Sequence, residues 1–529
     1  MKKRIIQLLL TLTVVSATVL TAGCGKESKT VAQGDAKGEK VITALVSSDI
    51  KPEEADTISG IAEDFRLFEM VYDPLVKYGE GGEIEPALAE SWEISEDGKS
   101  YTFHLKKGVK FSDGTEFNAD NVIFNASRWE DKQTFSAKLL DVKKIDDYTV
   151  TFEFEQVAYP CLIEFTYPRP YRMLGESGVD EEGNFKEMIG TGQWMVESYL
   201  TNQEVVFIPN PYYYGEEPKV DKVILKMVDD GQARTMALQS GEGDICLADL
   251  PTESWPVIEQ DEKFEKFEAH ATQTFYLILN YENEFLKEEK VRQALNYGID
   301  KNGLVNDLLD GDGTPAKGLF PNNTPYVTDE NSPGYSYEPE KAKELLKEAG
   351  YEDTDGDGIV EKDGKKLSLR LVFQTEEYAN WKTTCEYLQS EYEKIGVEIE
   401  LNQMESAAYY DAIWSTRDYD MIMYRSYEDS WNPHGFLSSM FYQTEGNPAV
   451  CWYDEQISTQ IGQVLQTLDE NKRTELYDSI LGRMDELAVT VPLYYPRKVY
   501  VYNKNRLTGI EEASTSYEAI HWGTVDVLS

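Results

Sequence analysis

Two arginines set among prolines and tyrosines, Tyr167-Pro168-Arg169-Pro170-Tyr171-Arg172, are the residues of this chain best suited to bind something charged. The chain carries 96 acidic residues against 51 basic ones, a net charge of −45, so most cations are expected to sit near a carboxylate. Here no acid is nearer in sequence than Glu164 or Glu176. Each proline fixes its own φ at about −65° and lacks an N–H, and the residue before each is pushed toward extended conformations. The segment is therefore stiff and non-helical, and it presents a planar cation beside aromatic rings. A guanidinium takes a carboxylate bidentately and loses little entropy in doing so. One reading is a preset anchor for an anionic ligand, Arg169 first with Arg172 assisting. The other is an interior arginine paired with one of the many acids.

A second constellation is Tyr424-Arg425-Ser426-Tyr427-Glu428-Asp429-Ser430-Trp431-Asn432-Pro433-His434, which follows an apolar strand pattern. In open α/β sheets ligands gather outside the carboxyl ends of strands, so this loop is expected to face a cleft. Tyr427 and Trp431 can wall a ligand, Arg425 can pair a carboxylate, and Asn432 or His434 can bond it or orient neighbours. The competing reading is that these aromatics are ordinary core. Asp353-Thr354-Asp355-Gly356-Asp357-Gly358 mimics the start of a calcium loop. The twelfth position of such a loop is Gly364, which offers no bidentate carboxylate, so the plain reading is an acidic turn. Catalysis finds no support. The histidines are His104, His270, His434 and His521, without a Ser/Asp or H-x-x-x-H companion, and no phosphate-cradling glycine loop occurs. An enzyme is not expected, nor a resident cofactor.

A chain of 529 residues is long enough for two to four lobes of roughly 150 residues each. With 41% hydrophobic residues it can build real cores. The acidic balance argues against nucleic acid, which needs basic surface. Lys2, Lys3 and Arg4 precede an apolar run from Ile5 to Leu20, about 16 residues and short of a membrane span of about 20. Thr21-Ala22-Gly23-Cys24 then resembles a bacterial lipobox, with Leu20 one place further out than usual. This implies a signal peptide over 1–23, lipidation of Cys24 and attachment to the outer face of the cell membrane. Residues 24–38 lack apolar periodicity and read as a flexible tether. Cys161, Cys246, Cys385 and Cys451 are widely separated with no C-x-x-C, which points to buried free thiols, with a disulfide left open.

Val41–Val46 reads as a strand, and Phe65, Phe68, Met70 and Val71 mark a helix. A dense β region with Asp-Gly turns follows from Ser91 to Phe117. In the second half, strand patterns at 367–373, 397–401 and 421–424 alternate with helical ones, which implies parallel pairing and an α/β lobe.

The block Pro86 to Val122, "PALAESWEISEDGKSYTFHLKKGVKFSDGTEFNADNV", resembles the opening of the family 5 solute-binding proteins of peptide and nickel ABC importers. Gly190-Thr191-Gly192, Asn210-Pro211-Tyr212-Tyr213-Tyr214-Gly215, Ser240-Gly241-Glu242-Gly243-Asp244-Ile245, Val291 to Tyr297 and Val491-Pro492-Leu493-Tyr494 continue the match in order. The resemblance implies a two-lobed α/β fold of the periplasmic-binding-protein type II class. It implies a first lobe over 39–282 with an extra β-rich subdomain at about 86–188, a second lobe over 283–494, and a return to the first over 495–529. The crossings are expected near Leu279-Asn280 and Tyr494-Tyr495. It also implies a monomer that docks on ABC permease and ATPase subunits.

"YPRPYR" and "RSYEDSWNPHGFLSSM" are similar to stretches of the nickel-type and opine-metallophore branch. There the arginine of the Pro-Arg-Pro motif clasps a carboxylate of a metal chelate. This implies that role for Arg169, aromatic contacts from Tyr427 and Trp431, an apolar contact near Phe65 and a C-terminal contact near Thr515. Nickel binders with a direct protein ligand have a histidine shortly after "FLSSM"; here Phe441-Tyr442-Gln443-Thr444-Glu445 has none, and His434 is a weak substitute. A bare metal ion wants converging hard or imidazole ligands. The expected ligand is therefore a carboxylate-bearing metal chelate, with a di- or oligopeptide as the alternative. A chaperone or signalling lipoprotein on the same fold is the reading from another class.

Overall fold

The structure is a computed structural model that describes residues 38–60, 65–79, 82–129, 132–269, 272–378, 380–427, 431–444, 446–513 and 519–528. The signal segment, Cys24, nearly all of the tether, His270 and Thr515 lie outside the described residues. Among the described residues the chain builds two large sheets. Val41–Val46 runs parallel to Lys222–Met227 on one side and to Ile245–Cys246 on the other. They belong to a seven-stranded sheet in the order Phe264–Ala269, Lys498–Asn503, Ile245–Cys246, Val41–Val46, Lys222–Met227, Glu204–Pro209, Trp194–Leu200. The second sheet has six strands, Thr314–Pro315, Thr490–Tyr495, Phe275–Leu279, Met421–Arg425, Ser368–Phe373 and Glu398–Gln403. Ser368–Phe373 pairs in parallel with both Glu398–Gln403 and Met421–Arg425, the arrangement expected from strand-helix-strand spacing. Each sheet has its own core.

The first crossing differs from expectation. Phe275–Leu279 is buried at every position and pairs antiparallel with Met421–Arg425 and Thr490–Tyr495 inside the second sheet. The chain therefore changes sheets before this strand, not after Leu279-Asn280. An unbroken apolar run signals a strand covered on both faces, but not which of two sheets it joins. The return lies between Thr490–Tyr495 and Lys498–Asn503, across Pro496 and Arg497.

A four-stranded antiparallel sheet, Ala89–Ile94, Ser100–Leu105, Thr149–Phe154 and Leu139–Asp146, forms the β-rich part. Its alternating Tyr101, Phe103, Leu105, Val150, Phe152 and Phe154 are all buried. They pack with Trp129, Phe165 and Tyr171 in an aromatic core with mostly edge-to-face contacts, such as Trp129–Tyr171 at 5.1 Å and Phe103–Phe165 at 5.1 Å. The turn Gly190-Thr191-Gly192 packs backbone against backbone. A Cβ on Gly190 would lie 1.8 Å from the Val71 carbonyl oxygen, so only glycine allows this approach. Cys161, Cys246, Cys385 and Cys451 are buried free thiols. No helix among the described residues is long and apolar enough to cross a membrane.

Candidate functional site

The segment Tyr167–Arg172 separates its two arginines. Pro168, Pro170 and Tyr171 are buried, and the Tyr171 hydroxyl accepts a 2.9 Å bond from the Thr134 amide inside the aromatic core. With the flanking residues pinned inward, Arg169 is left exposed. Its Nη1 donates to the Gly60 carbonyl at 2.9 Å, and it meets no carboxylate among the described residues. Arg172, three residues on, is 2% exposed. Its Nη1 donates to the Thr166 and Tyr167 carbonyls at 3.0 and 3.2 Å, and its Nη2 pairs with Glu69 Oε1. The interior ion pair therefore falls on Arg172, and the accessible cation is Arg169. Arg172, expected to assist with the ligand, holds its own segment against the helix Phe65–Val71 that carries Glu69.

Phe65 opens that helix and is buried, its ring 5.6 Å from Phe68. Gly60, which fixes Arg169, also packs on Phe68: a Cβ there would lie 2.5 Å from the ring. Arg169 and Phe65 thus belong to one region of the first lobe.

On the second lobe, Arg425 ends the strand Met421–Arg425, and its Nε donates to the Tyr378 hydroxyl at 2.6 Å. The Tyr427 hydroxyl accepts from Ser439 at 2.9 Å, and its ring stands edge-on to Phe436 at 5.0 Å. Trp431 is buried against the first lobe, 6.5 Å from the Tyr78 ring and packed over Gly82. The structure thus brings Trp431 to the seam between the lobes, reached from the other side by Tyr78 and Tyr167.

His434 and Asn432 do not behave as expected of ligand contacts. His434 is 1% exposed, with Nδ1 3.2 Å from Asn432 Oδ1, and Nε2 3.4 Å from the Tyr167 hydroxyl and 3.6 Å from Glu164 Oε1. Both ring nitrogens face protein groups, which removes His434 as a metal ligand. Asn432 donates to the Tyr159 hydroxyl at 3.2 Å and accepts from the Tyr477 hydroxyl at 2.9 Å. Tyr326 stacks on Tyr477 at 4.2 Å and lies 3.4 Å, hydroxyl to hydroxyl, from Tyr159. The Arg473 guanidinium sits 3.9 Å over the Tyr159 ring. Burial pushes the Tyr159 and Tyr477 phenols far above their ordinary range, so both stay protonated donors. Glu164, Tyr159 and Tyr167 come from the β-rich side; Asn432, His434, Arg473 and Tyr477 come from the second lobe. Together they form a buried polar seam. Sequence reasoning had marked Asn432 and His434 but missed their partners, which lie far away in the chain and have no local motif.

A cavity of about 210 Å³ opens in the first lobe beside the seam, lined by Glu69, Asp73, Lys77, Tyr78, Arg172 and His521 among others. Tyr78 both lines it and packs on Trp431. Burial raises the Asp73 carboxyl from its usual range, opposed by bonds from Thr191 and Tyr214. The site can thus offer an exposed guanidinium, aromatic walls and a mixed polar cavity, and among the described residues no set of metal-ligating side chains converges there.

A family model for bacterial extracellular solute-binding proteins, family 5, matches residues 83–448. The chain is 32% identical over 468 residues to the nickel-binding periplasmic protein of Escherichia coli (strain K12), covering 85% of this chain and 88% of that protein. It is 29% identical over 442 residues to the dipeptide-binding protein of the same organism, covering 77% and 80%. The solved structure of NikA from Brucella suis in complex with Fe(III)-EDTA shares the fold with a TM-score of 0.83 at 28% identity, over 93% of this chain and 100% of that one. The architecture is the two-lobed α/β fold of type II periplasmic binding proteins. The chain belongs to the bacterial extracellular solute-binding proteins of family 5.

Proposed function

We propose that this protein is the lipid-anchored substrate-binding subunit of an ABC importer, and that it captures a carboxylate-bearing metal chelate between its two lobes. Arg169 carries this reading. It is an exposed guanidinium on a stiff Pro-Arg-Pro segment, bonded among the described residues to a backbone carbonyl, which leaves its charge to answer a ligand carboxylate. Trp431 and Tyr427 supply the apolar walls. The relatives support the same direction: one is named for nickel binding, and one structure holds iron inside EDTA, a polycarboxylate chelator. The ligand is bound and handed to a membrane permease without chemical change, and ATP is hydrolysed by another subunit.

His434 is sealed in the seam, so the metal's ligands must come with it. In calorimetry, nickel ion alone is expected to give no saturable binding at the interlobe site, and nickel with free histidine is expected to bind. A peptide ligand is the second reading, favoured by the 29% identity to a dipeptide-binding protein. Saturable binding of di- to pentapeptides with no response to metal chelates would reverse the ranking.

A further inference from the structure

We propose that the loop 353–361 of the second lobe binds a calcium ion. The spacing of the loop, tested by its twelfth position, ends on Gly364 and fails. The fold supplies the missing carboxylate from another place. Glu361 opens the short hairpin Glu361–Lys362 with Lys365–Lys366, and its backbone is tied to Glu352 by a pair of hydrogen bonds at 3.0 and 3.1 Å. This turns its carboxylate back into the acidic loop, where one oxygen each from Asp353, Asp355 and Glu361 lies within 4.8 Å of the others. A point exists within about 2.8 Å of three atoms so spaced, close to the Ca–O range of about 2.3–2.6 Å.

The second observation concerns Glu361 alone. Its Oε1 accepts from the Thr354 amide at 2.9 Å and from the Thr354 hydroxyl. Its Oε2 is buried and has no hydrogen-bond partner among the described residues, in a side chain only 9% exposed as a residue. A buried carboxyl oxygen left without a partner is costly. The cation in reach of the loop is Lys366, which serves the other end, pairing with Asp357 and lying 3.3 Å from Asp355 Oδ2. Four carboxylates against one ammonium leave room for a divalent charge. Glu361, Asp353 and Asp355 offer hard oxygen ligands, and the two exposed aspartates on a glycine-rich loop can adjust to the variable geometry calcium accepts. Magnesium demands a near-ideal octahedron at about 2.0–2.1 Å. The ion would fasten this loop to the hairpin that leads into the strand Ser368–Phe373, whatever the interlobe site binds.

The test uses the full chain stripped with EDTA, titrated with calcium chloride by calorimetry and melted with and without calcium. The expected result is a single saturable site with a dissociation constant of about 10⁻⁴–10⁻³ M, the range of extracellular calcium modules, and an unfolding midpoint that rises with calcium by mass action. Glu361→Gln is expected to weaken binding by about tenfold or more. Asp355→Asn, at an exposed position, does the same and serves if the buried Glu361→Gln variant fails to fold. Lys366→Gln, which removes a competing cation, holds or tightens the affinity. Three results would each overturn the proposal: no saturable calcium binding, binding unchanged in Asp355→Asn or Glu361→Gln (a diffuse acidic surface), or magnesium bound as tightly as calcium.

Discussion

Arg169→Ala is expected to weaken binding of the carboxylate-bearing ligand by about tenfold or more while leaving the thermal midpoint nearly unchanged. The two halves of this result have separate causes. A hydrogen bond to a charged group contributes roughly 1.5–3 kcal/mol, and a tenfold change in affinity corresponds to about 1.4 kcal/mol. Stability is spared because the side chain is exposed and, among the described residues, bonds the protein through the Gly60 carbonyl; exposed substitutions of this kind stay within about 0.5 kcal/mol. Arg169→Lys keeps the charge but loses the planar fork, so it recovers part of the affinity. Calorimetry and a melting curve on the same sample decide the matter. Unchanged affinity with a lowered midpoint would return Arg169 to a structural role.

Arg172→Met is expected to do the opposite, lowering folding stability by about 3–5 kcal/mol, the range for removing one partner of a buried ion pair. Glu69 is left behind at 11% side-chain exposure with no guanidinium to answer it. The Thr166 and Tyr167 carbonyls lose their donor as well. A double variant, Arg172→Met with Glu69→Gln, removes the stranded charge and is expected to regain part of the loss, a coupling that a double-mutant cycle measures. Denaturant unfolding of the four proteins provides the test. A normal unfolding midpoint in Arg172→Met together with collapsed ligand binding would show that Arg172 contacts the ligand directly.

Much of this division was hidden in the sequence. The stiffness of Tyr167–Arg172 and its separation from acids were legible, because proline geometry is local. Which arginine faces out was not, since it depends on Tyr171 entering an aromatic core built from strands between about 17 and 80 residues away in the chain. The parallel strands at 368–373, 398–403 and 421–425 were legible from their alternation with helices. Membership of Phe275–Leu279 in the second sheet was not, because a strand buried on both faces carries no face to read. His434 after Asn-Pro reads in the sequence as a turn residue of a cleft-facing loop. It instead begins the helix His434–Met440 and meets Glu164 and Tyr167 across the seam, contacts that only tertiary packing creates. Glu361 escaped a motif count for the same reason, being delivered by a hairpin rather than by loop spacing.

Among the described residues, hydrogen bonds cross the buried seam between Tyr159 and Asn432 and between Tyr167 and His434, while Tyr477 braces Asn432 from its own side. These contacts are expected to give a binding-competent arrangement of the lobes a population of its own before any ligand arrives. Apparent affinity is the intrinsic affinity scaled by that population. Asn432→Ala, which strips the seam without touching the proposed ligand contacts, is expected to weaken every ligand by the same factor in parallel calorimetric titrations and leave their order intact. Arg169→Ala is expected to change the order. Under the proposed function, the seam would then set how tightly any ligand is held, and Arg169 which ligand is held.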